Sequence, residues 1–417
     1  MKKIVIIGAG TIGLHCAYFL KEDGYDVEVI ESGSEHDEKG CSYGNCGFIV
    51  PSHFIPLASP QMLRSGLKMI FDRTGPLYLP LLRNFRHIPW FISFMLTSCH
   101  KTDNKSVRLL YQMNEESRKL YVQLNEISGN TSELTKNGLI MASATEKGFH
   151  EEIELTEIAR KLGIKTQILD PQSLKRIEPE TNFNLAGAVL YESDAHINPL
   201  KHMRWLKRYL KQQGVIFHYQ TIANRIRTER NKMTGVETNN GTFSGDEYVM
   251  ATGASSSQLA KTIGIRLPVL PGKGYSIDLP KPDLKLHIPI ILTEARVAIT
   301  PLSNTVRLGS GMEFNGKTGQ LRLKRIQAVL DRTAEVFPTL PKMKAGELVV
   351  WEGLRPVTPD GIPMIGRIRK YENLMVATGH AMMGVSLGPI TGKIINDLIS
   401  GYKIDFDMQL LDPNRFQ

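Results

Sequence analysis

Cysteine is scarce. The 417-residue chain has four, Cys16, Cys41, Cys46 and Cys99; no two form a CxxC pair and none keeps histidines at metal-ligand spacing, so no metal site is expected. Free thiols in a reducing cytoplasm are the expectation, without a bridge between Cys41 and Cys46. Long apolar runs are missing too, for no stretch reaches the roughly 18 uncharged apolar residues that a spanning helix needs. The opening MKKIVIIGAGTIGLHCAYFLKEDG imitates a secretion signal. Spaced glycines break it, however, and Lys21, Glu22 and Asp23 stand where a small-residue cleavage site would be, so it reads as a folded element. Acidic residues number 42 against 51 basic ones, a formal charge of +9. The excess is spread along the chain, and without zinc spacing or an RNP-like motif it points away from nucleic acid. An acidic substrate or an anionic membrane surface fits it better.

What remains is ordinary for a globular protein, with 41% hydrophobic and 22% charged residues, and the length fits two domains or one large composite. The most specific signal comes first. KKIVIIGAGTIG is a branched apolar run ending in Gly8, Gly10 and Gly13. A buried strand before this GxGxxG, an apolar helix from about Thr11 to Lys21 after it, and a second strand, YDVEVIE, together give the spacing its meaning. Gly8 permits the tight turn, Gly10 lets a pyrophosphate approach the backbone, and Gly13 lets helix and strand pack closely. Free N–H groups at the helix start then face the phosphates. Glu31 ends the second strand 18 residues past Gly13, where its carboxylate can accept from both ribose hydroxyls. This favours FAD or NAD over a 2′-phosphorylated cofactor. The loop SGSEHDEKGCSYGNCGFIVP comes next instead of a helix; its backbone, with Ser42 and Asn45 as side-chain donors, suits the larger cofactor, FAD.

Farther on, residues 51–100 mix apolar, aromatic and basic residues with prolines, as in short amphipathic helices that either cover a core or rest on lipid headgroups. A longer amphipathic helix is expected from about Lys105 to Asn125. His196, in DAHINP, reads as a structural hydrogen bonder. The strand EYVMATG returns the chain to the nucleotide sheet, where Ala251 and Gly253 allow close approach to a cofactor. Alternation between about Pro268 and Phe314 indicates antiparallel strands with one wet face. Near the end, NLMVATGHAMMGVSLGPITGKIINDLISG repeats strand, glycine-rich turn and helix. That helix is expected to begin near Gly384, Val385 and Ser386, with bare N–H groups and the positive end of a dipole.

One residue in WEGLRPVTPDGIPMIG stands apart. Arg355, between Leu354 and Pro356, carries a charge at any ordinary pH, so either it sits in water or an anion meets it.

IVIIGAGTIGLHCAYFL, GCSYGNCG, DAHINP, PGKGYS, WEGLRPVTPDGIPMIG and the closing TGH segment, in this order along the whole chain, resemble the D-amino acid oxidase superfamily of flavoproteins. Within it, the likeness is to D-amino acid dehydrogenases of the small-subunit type. The resemblance implies an α/β fold. A Rossmann-like FAD-binding domain of the glutathione-reductase type (1–50, 196–267 and 346–417) would be interleaved with an α+β substrate domain carrying an antiparallel sheet (51–195 and 268–345). It implies noncovalent FAD, with Gly379, Gly384, Val385 and Ser386 beside the flavin and His380 either tuning it or supporting the turn. It makes Arg355 the fork that holds a substrate carboxylate. Two departures from the glycine-specific relatives imply a larger, more apolar pocket: Ala298 stands where they usually have a carboxylate-binding tyrosine, and Met382 where one has an arginine. Tyr275 reads as a replacement for the lost hydroxyl or as packing. The implied reaction is dehydrogenation of a D-amino acid or a cyclic imino acid such as D-proline, with electrons leaving to a quinone or carrier. The alternatives are a peroxide-forming oxidase of sarcosine or another N-methyl amino acid and the flavin subunit of a hetero-oligomer. A cytoplasmic protein resting on the inner face of the membrane would suit a quinone acceptor.

Overall fold

The computed structural model describes residues 1–38, 40–60, 75, 77–78, 87–99, 104–280, 284–314, 319 and 321–417. The first strand, Lys3–Ile7, lies in the middle of a six-stranded sheet, between Glu247–Met250 and Asp26–Ile30 and parallel to both. Ile216–His218 and Leu374–Thr378 extend the sheet in parallel, and Met364–Arg367 closes one edge antiparallel. The first strand is apolar at every position from Ile4 onward because both of its faces are covered. Ile4 and Ile6 join a core with the helices Thr11–Glu22, Pro199–Gln212 and Gly388–Ser400, while Val5 and Ile7 join a core on the other face. The first and last helices approach closely where the last one carries no side chain: an added Cβ at Gly392 would lie 2.5 Å from the backbone carbonyl of His15.

A buried histidine pair ties the first of these helices to Pro199–Gln212. His15 Nδ1 lies 2.7 Å from the Thr11 carbonyl, which can only accept, so the proton is on Nδ1 and Nε2 accepts. His202 Nε2 therefore donates to His15 Nε2 at 3.1 Å, and His202 Nδ1 accepts from Ser132 Oγ at 2.9 Å. Burial lowers the His15 pKa to about 4 and that of His202 well below its ordinary value, so both stay neutral.

The second sheet has nine strands. Val350–Val357, Leu270–Pro280, Thr305–Glu313 and Val297–Pro301 form its antiparallel half, Ile290–Leu292, Leu139–Ser143, Gly187–Tyr191 and Thr166–Leu169 follow, and Leu77–Tyr78 is the ninth, off this path and parallel to Thr305–Glu313. One face is an apolar core with the helix Leu323–Val336. The other face changes along the sheet: at the far end it packs under Phe54 and Ala159, and at the near end it is floored by glycines.

The strand carrying Arg355 pairs with Leu270–Pro280. It thus belongs to the antiparallel sheet, and the return to the nucleotide layer expected at residue 346 comes only after Val357. The last helix begins at Gly388, not near Gly384. Residues 381–387 form turns instead, with Ala381 at φ 48°. All four cysteines are free.

Candidate active site

The glycine turn has the geometry of a nucleotide cradle. Gly8 holds φ +108°, where an added Cβ would lie 2.6 Å from the Ala251 carbonyl oxygen; one at Gly13 would lie 1.9 Å from the Gly8 carbonyl oxygen. Neither position admits a side chain. At Gly10 the space is open, the nearest atom being Ser42 Oγ at 3.9 Å. No side chain caps the helix that starts at Thr11, although Ser42 Oγ accepts from Thr11 N at 3.2 Å. The Glu31 carboxylate accepts from Ala9 N at 2.7 Å and Gly33 N at 2.8 Å. It is thereby fixed beside the turn, where ribose hydroxyls would meet it. These residues fit a dinucleotide.

The C-terminal segment reaches the same place. An added Cβ at Gly384 would lie 3.9 Å from Thr11 Cγ2 and 3.8 Å from His380 Cβ. Among the described residues no backbone carbonyl accepts from Gly384 N or Val385 N. Gly379 holds φ +84° against Thr358, and Gly253 φ +54° with its carbonyl accepting from Thr378 Oγ1. Ser386 is different. Its hydroxyl donates to Asn114 Oδ1 at 2.6 Å and accepts from Val50 N at 3.0 Å, so its side chain is spent on holding helix Asn104–Ile127 and the strand Phe48–Ile49 together. His380 is buried, burial lowers its pKa to about 3, and its Nε2 lies 2.9 Å from Thr391 Oγ1. Its Nδ1 has no partner among the described residues.

Directly paired residues of antiparallel strands share a face. Gly272 pairs with Arg355, Gly274 with Gly353, Ser276 with both Trp351 and Gly309, and Ala298 with Gly309. Arg355 thus stands over a floor of glycines. An added Cβ at Gly274 would lie 1.9 Å from Arg355 Nη1, so only glycine leaves room for the guanidinium there. Arg355 is half-buried, and desolvation lowers its pKa. Its Nη1 donates to the Gly311 carbonyl, and no carboxylate pairs with it among the described residues; only the thiols of Cys41 and Cys46 act the other way.

The loop that carries Ser42 and Asn45 rests on this face. Arg307 Nη1 donates to the carbonyls of Tyr43 and Asn45 at 3.0 and 2.8 Å, and Thr300 Oγ1 donates to that of Cys46 at 2.7 Å. Asn45 Nδ2 reaches the Met382 carbonyl at 3.4 Å. The glycine cradle, the closing turns and the arginine strand are thus joined through one loop.

Tyr275 does not face Arg355. It pairs with Glu352 and Ser310, so its Cβ points to the opposite face of the sheet, where its hydroxyl donates to Glu313 at 2.8 Å. The period of two that carries Gly274 toward the arginine carries its neighbour away. Sequence reading misses Arg307, Thr300 and Trp351. The alternation of TVRLGSGME marks Arg307 and Gly309 as sharing a face, but not which loop lies on it.

A family model described as DAO, FAD dependent oxidoreductase, matches residues 3–398. The chain belongs to the DAO family of FAD-dependent oxidoreductases. Among its relatives, the D-amino acid dehydrogenase of Helicobacter pylori is 30% identical over 398 residues, covering 95% of this chain and 94% of that one. That of Allorhizobium ampelinum is 29% identical over 422 residues, covering 99% and 98%. In fold, the DAO-family chain is similar to glycine oxidase from Geobacillus kaustophilus, with a TM-score of 0.77, 22% identity and coverage of 100% and 99%. It is also similar to L-proline dehydrogenase from P. horikoshii, with a TM-score of 0.76, 20% identity and coverage of 100% and 97%. FAD is accordingly the dinucleotide that the cradle serves. Among the described residues no group of side chains could hold a metal ion, and no helix is long and apolar enough to cross a membrane.

Proposed function

We propose that this FAD-dependent enzyme oxidises a D-amino acid, or a cyclic imino acid of the D-proline type, whose carboxylate is held by Arg355. The observation that carries the reading is a partly desolvated guanidinium without a carboxylate partner among the described residues, above a floor of glycines. A planar guanidinium grips a carboxylate through two parallel charge-assisted hydrogen bonds, which fix its orientation as well as its place. Bound FAD supplies the acceptor for the hydride that leaves Cα. The protein's part is alignment and exclusion of water. Gly8, Gly10, Gly13, Glu31, Ser42, Asn45, Ala251, Gly253, Gly379, Gly384 and Val385 would hold the cofactor without a covalent link. The neutrality of His380 suits a group that shapes the turn between arginine strand and cofactor. No base is assigned, since an amine that binds neutral needs none at Cα.

The proposed division into a cofactor part around the six-stranded sheet and a substrate part around the nine-stranded one is supported by the strand pairing, which puts Val350–Val357 in the latter sheet. Anaerobic bleaching of the flavin by a panel of D- and L-amino acids, D-proline and cis-hydroxy-D-proline tests the reading. Bleaching by D-enantiomers, with turnover on a dye or quinone acceptor and little on oxygen, supports it; bleaching by L-enantiomers alone, or peroxide formation at the dye-linked rate, overturns it.

A membrane-side acceptor has one observation in its favour. Helix Ile88–Cys99 lacks acidic residues, and Ile88, Ile92, Met95 and Leu96 are exposed along one face, an arrangement suited to an interfacial helix. Arg64, Lys68 and Arg83, basic residues of the same stretch of sequence, lie outside the described residues. Flotation with anionic vesicles that is unchanged when Ile92, Met95 and Leu96 are all replaced by Ser would exclude this face as the contact.

A further inference from the structure

We propose that Trp351 is the wall that selects the substrate side chain, favouring small or compact-ring side chains over bulky ones. The inference rests on the placement of the substrate carboxylate at Arg355 and adds what meets the rest of the molecule. Trp351 and Arg355 are four residues apart on one strand and therefore share a face. Between them lies the pair Gly353 and Gly274. An added Cβ at Gly353 would lie 2.1 Å from Trp351 Cη2, and one at Gly274 would lie 1.9 Å from Arg355 Nη1. Directly paired Cβ positions are about 4.5–5.5 Å apart. The outer edge of the indole and the guanidinium thus lie side by side, each over a bare glycine.

The indole is also covered from the other side. An added Cβ at Gly44, in the loop that Arg307 pins, would lie 2.1 Å from Trp351 Cδ2. The ring therefore fills the gap between the loop and the glycine floor at a position next to the carboxylate clamp. A substrate's Cα is one bond from its carboxylate, so its substituents extend within van der Waals reach of this wall. The indole Nε1 is buried with no acceptor among the described residues. Buried indole N–H groups ordinarily have a partner, and a bound ligand is the group this site exists to receive.

The test uses the FAD-loaded enzyme and two readouts. The first is the ratio of kcat/KM for D-phenylalanine to that for D-alanine; the second is the ratio of Kd for diphenylacetate to that for acetate, followed by flavin absorbance. In both Trp351→Ala and Trp351→Leu, the kinetic ratio should rise and the Kd ratio fall, each by about tenfold or more. Trp351→Phe, which keeps a ring, should hold both ratios within about twofold of the wild type. Ratios unchanged in both truncated variants, or shifted as far by Trp351→Phe as by Trp351→Ala, overturn the inference. The second truncation stands in if the first loses FAD or melts early. Failure of the wild-type enzyme to bind any carboxylate would instead sink the role of Arg355, so the two failures are distinguishable.

Discussion

Arg307 and Asp278 stand directly across from each other on adjacent strands and close a two-pronged ion pair, Nε to Oδ1 at 2.7 Å and Nη2 to Oδ2 at 2.8 Å. The pair fixes the guanidinium plane, and the remaining Nη1 is left pointing at the carbonyls of Tyr43 and Asn45. A lysine offers no such fork. Arg307→Ala is therefore expected to loosen the loop and weaken FAD binding by roughly ten- to a hundredfold, the effect of losing hydrogen bonds to a charged donor. Arg307→Lys should recover only part of this. FAD release on dilution, followed by flavin fluorescence, measures both.

Arg355→Leu removes the group assigned to the substrate carboxylate but nothing that touches the glycine cradle. Its kcat/KM is expected to fall by about 2–5 kcal/mol of transition-state binding, the range for breaking a buried charge pair. The visible spectrum of bound FAD should stay as in the wild type. An unaltered kcat/KM would exclude the clamp. Gly274→Ala should mimic part of the loss, because its methyl would occupy the guanidinium's place.

Tyr275→Phe separates the two faces of the sheet. The hydroxyl donates to Glu313, which is fully buried; removing it takes a hydrogen bond from a buried carboxylate and should cost about 1–3 kcal/mol of stability. Turnover should change little once FAD is bound. Chemical denaturation and steady-state kinetics on one preparation check both halves, and a large loss of kcat without loss of stability would return Tyr275 to the chemistry.

Much of the nucleotide half is readable from residues, because a strand, a GxGxxG turn and a helix are neighbours in sequence and each glycine answers a local steric demand. Gly8 and Gly13 show it: their missing side chains are explained by contacts within the same turn, apart from Ala251. The substrate half depends on pairings between strands far apart in the chain. Lys273, Gly274 and Tyr275 look alike as candidates in PGKGYS, and only the register against Gly353 and Glu352 tells which of them faces Arg355. Arg307 is illegible for the same reason, since its partners Tyr43 and Asn45 lie more than two hundred residues earlier. The last helix starts later than its sequence suggests: residues 384–387 form a turn, and Pro389, which has no N–H to donate and suits a first helical turn, marks the true start.

Acid should destabilise the fold through its buried histidines. In the unfolded chain His15 takes up a proton near pH 6.5, whereas in the fold it does so only at about 4. Between these values the unfolded state binds more protons, so stability falls as the pH falls through that window, for His15 alone by roughly 3 kcal/mol. His53 and His196, also lowered to about 4, His380, lowered to about 3, and His202 act in the same direction. Asp194, raised by burial to about 7, opposes them, because the folded state holds its proton over much of the same range. Melting temperatures of the wild type should drop from pH 6.5 to 4, and the drop should be smaller in His202→Gln. An equal drop in both would remove the pair from the account.

The order of strands in the parallel sheet also governs when the protein can take up its cofactor during synthesis. The first strand pairs locally with Asp26–Ile30, but its other side needs Glu247–Met250, and that strand needs Leu374–Thr378 in turn, so the sheet beneath the glycine turn is complete only once the chain has been made past residue 378. Such distant pairing is slow to close and leaves apolar strands uncovered meanwhile. Stable uptake of the flavin is therefore expected only after those late strands are in place, however early the glycine turn itself has formed.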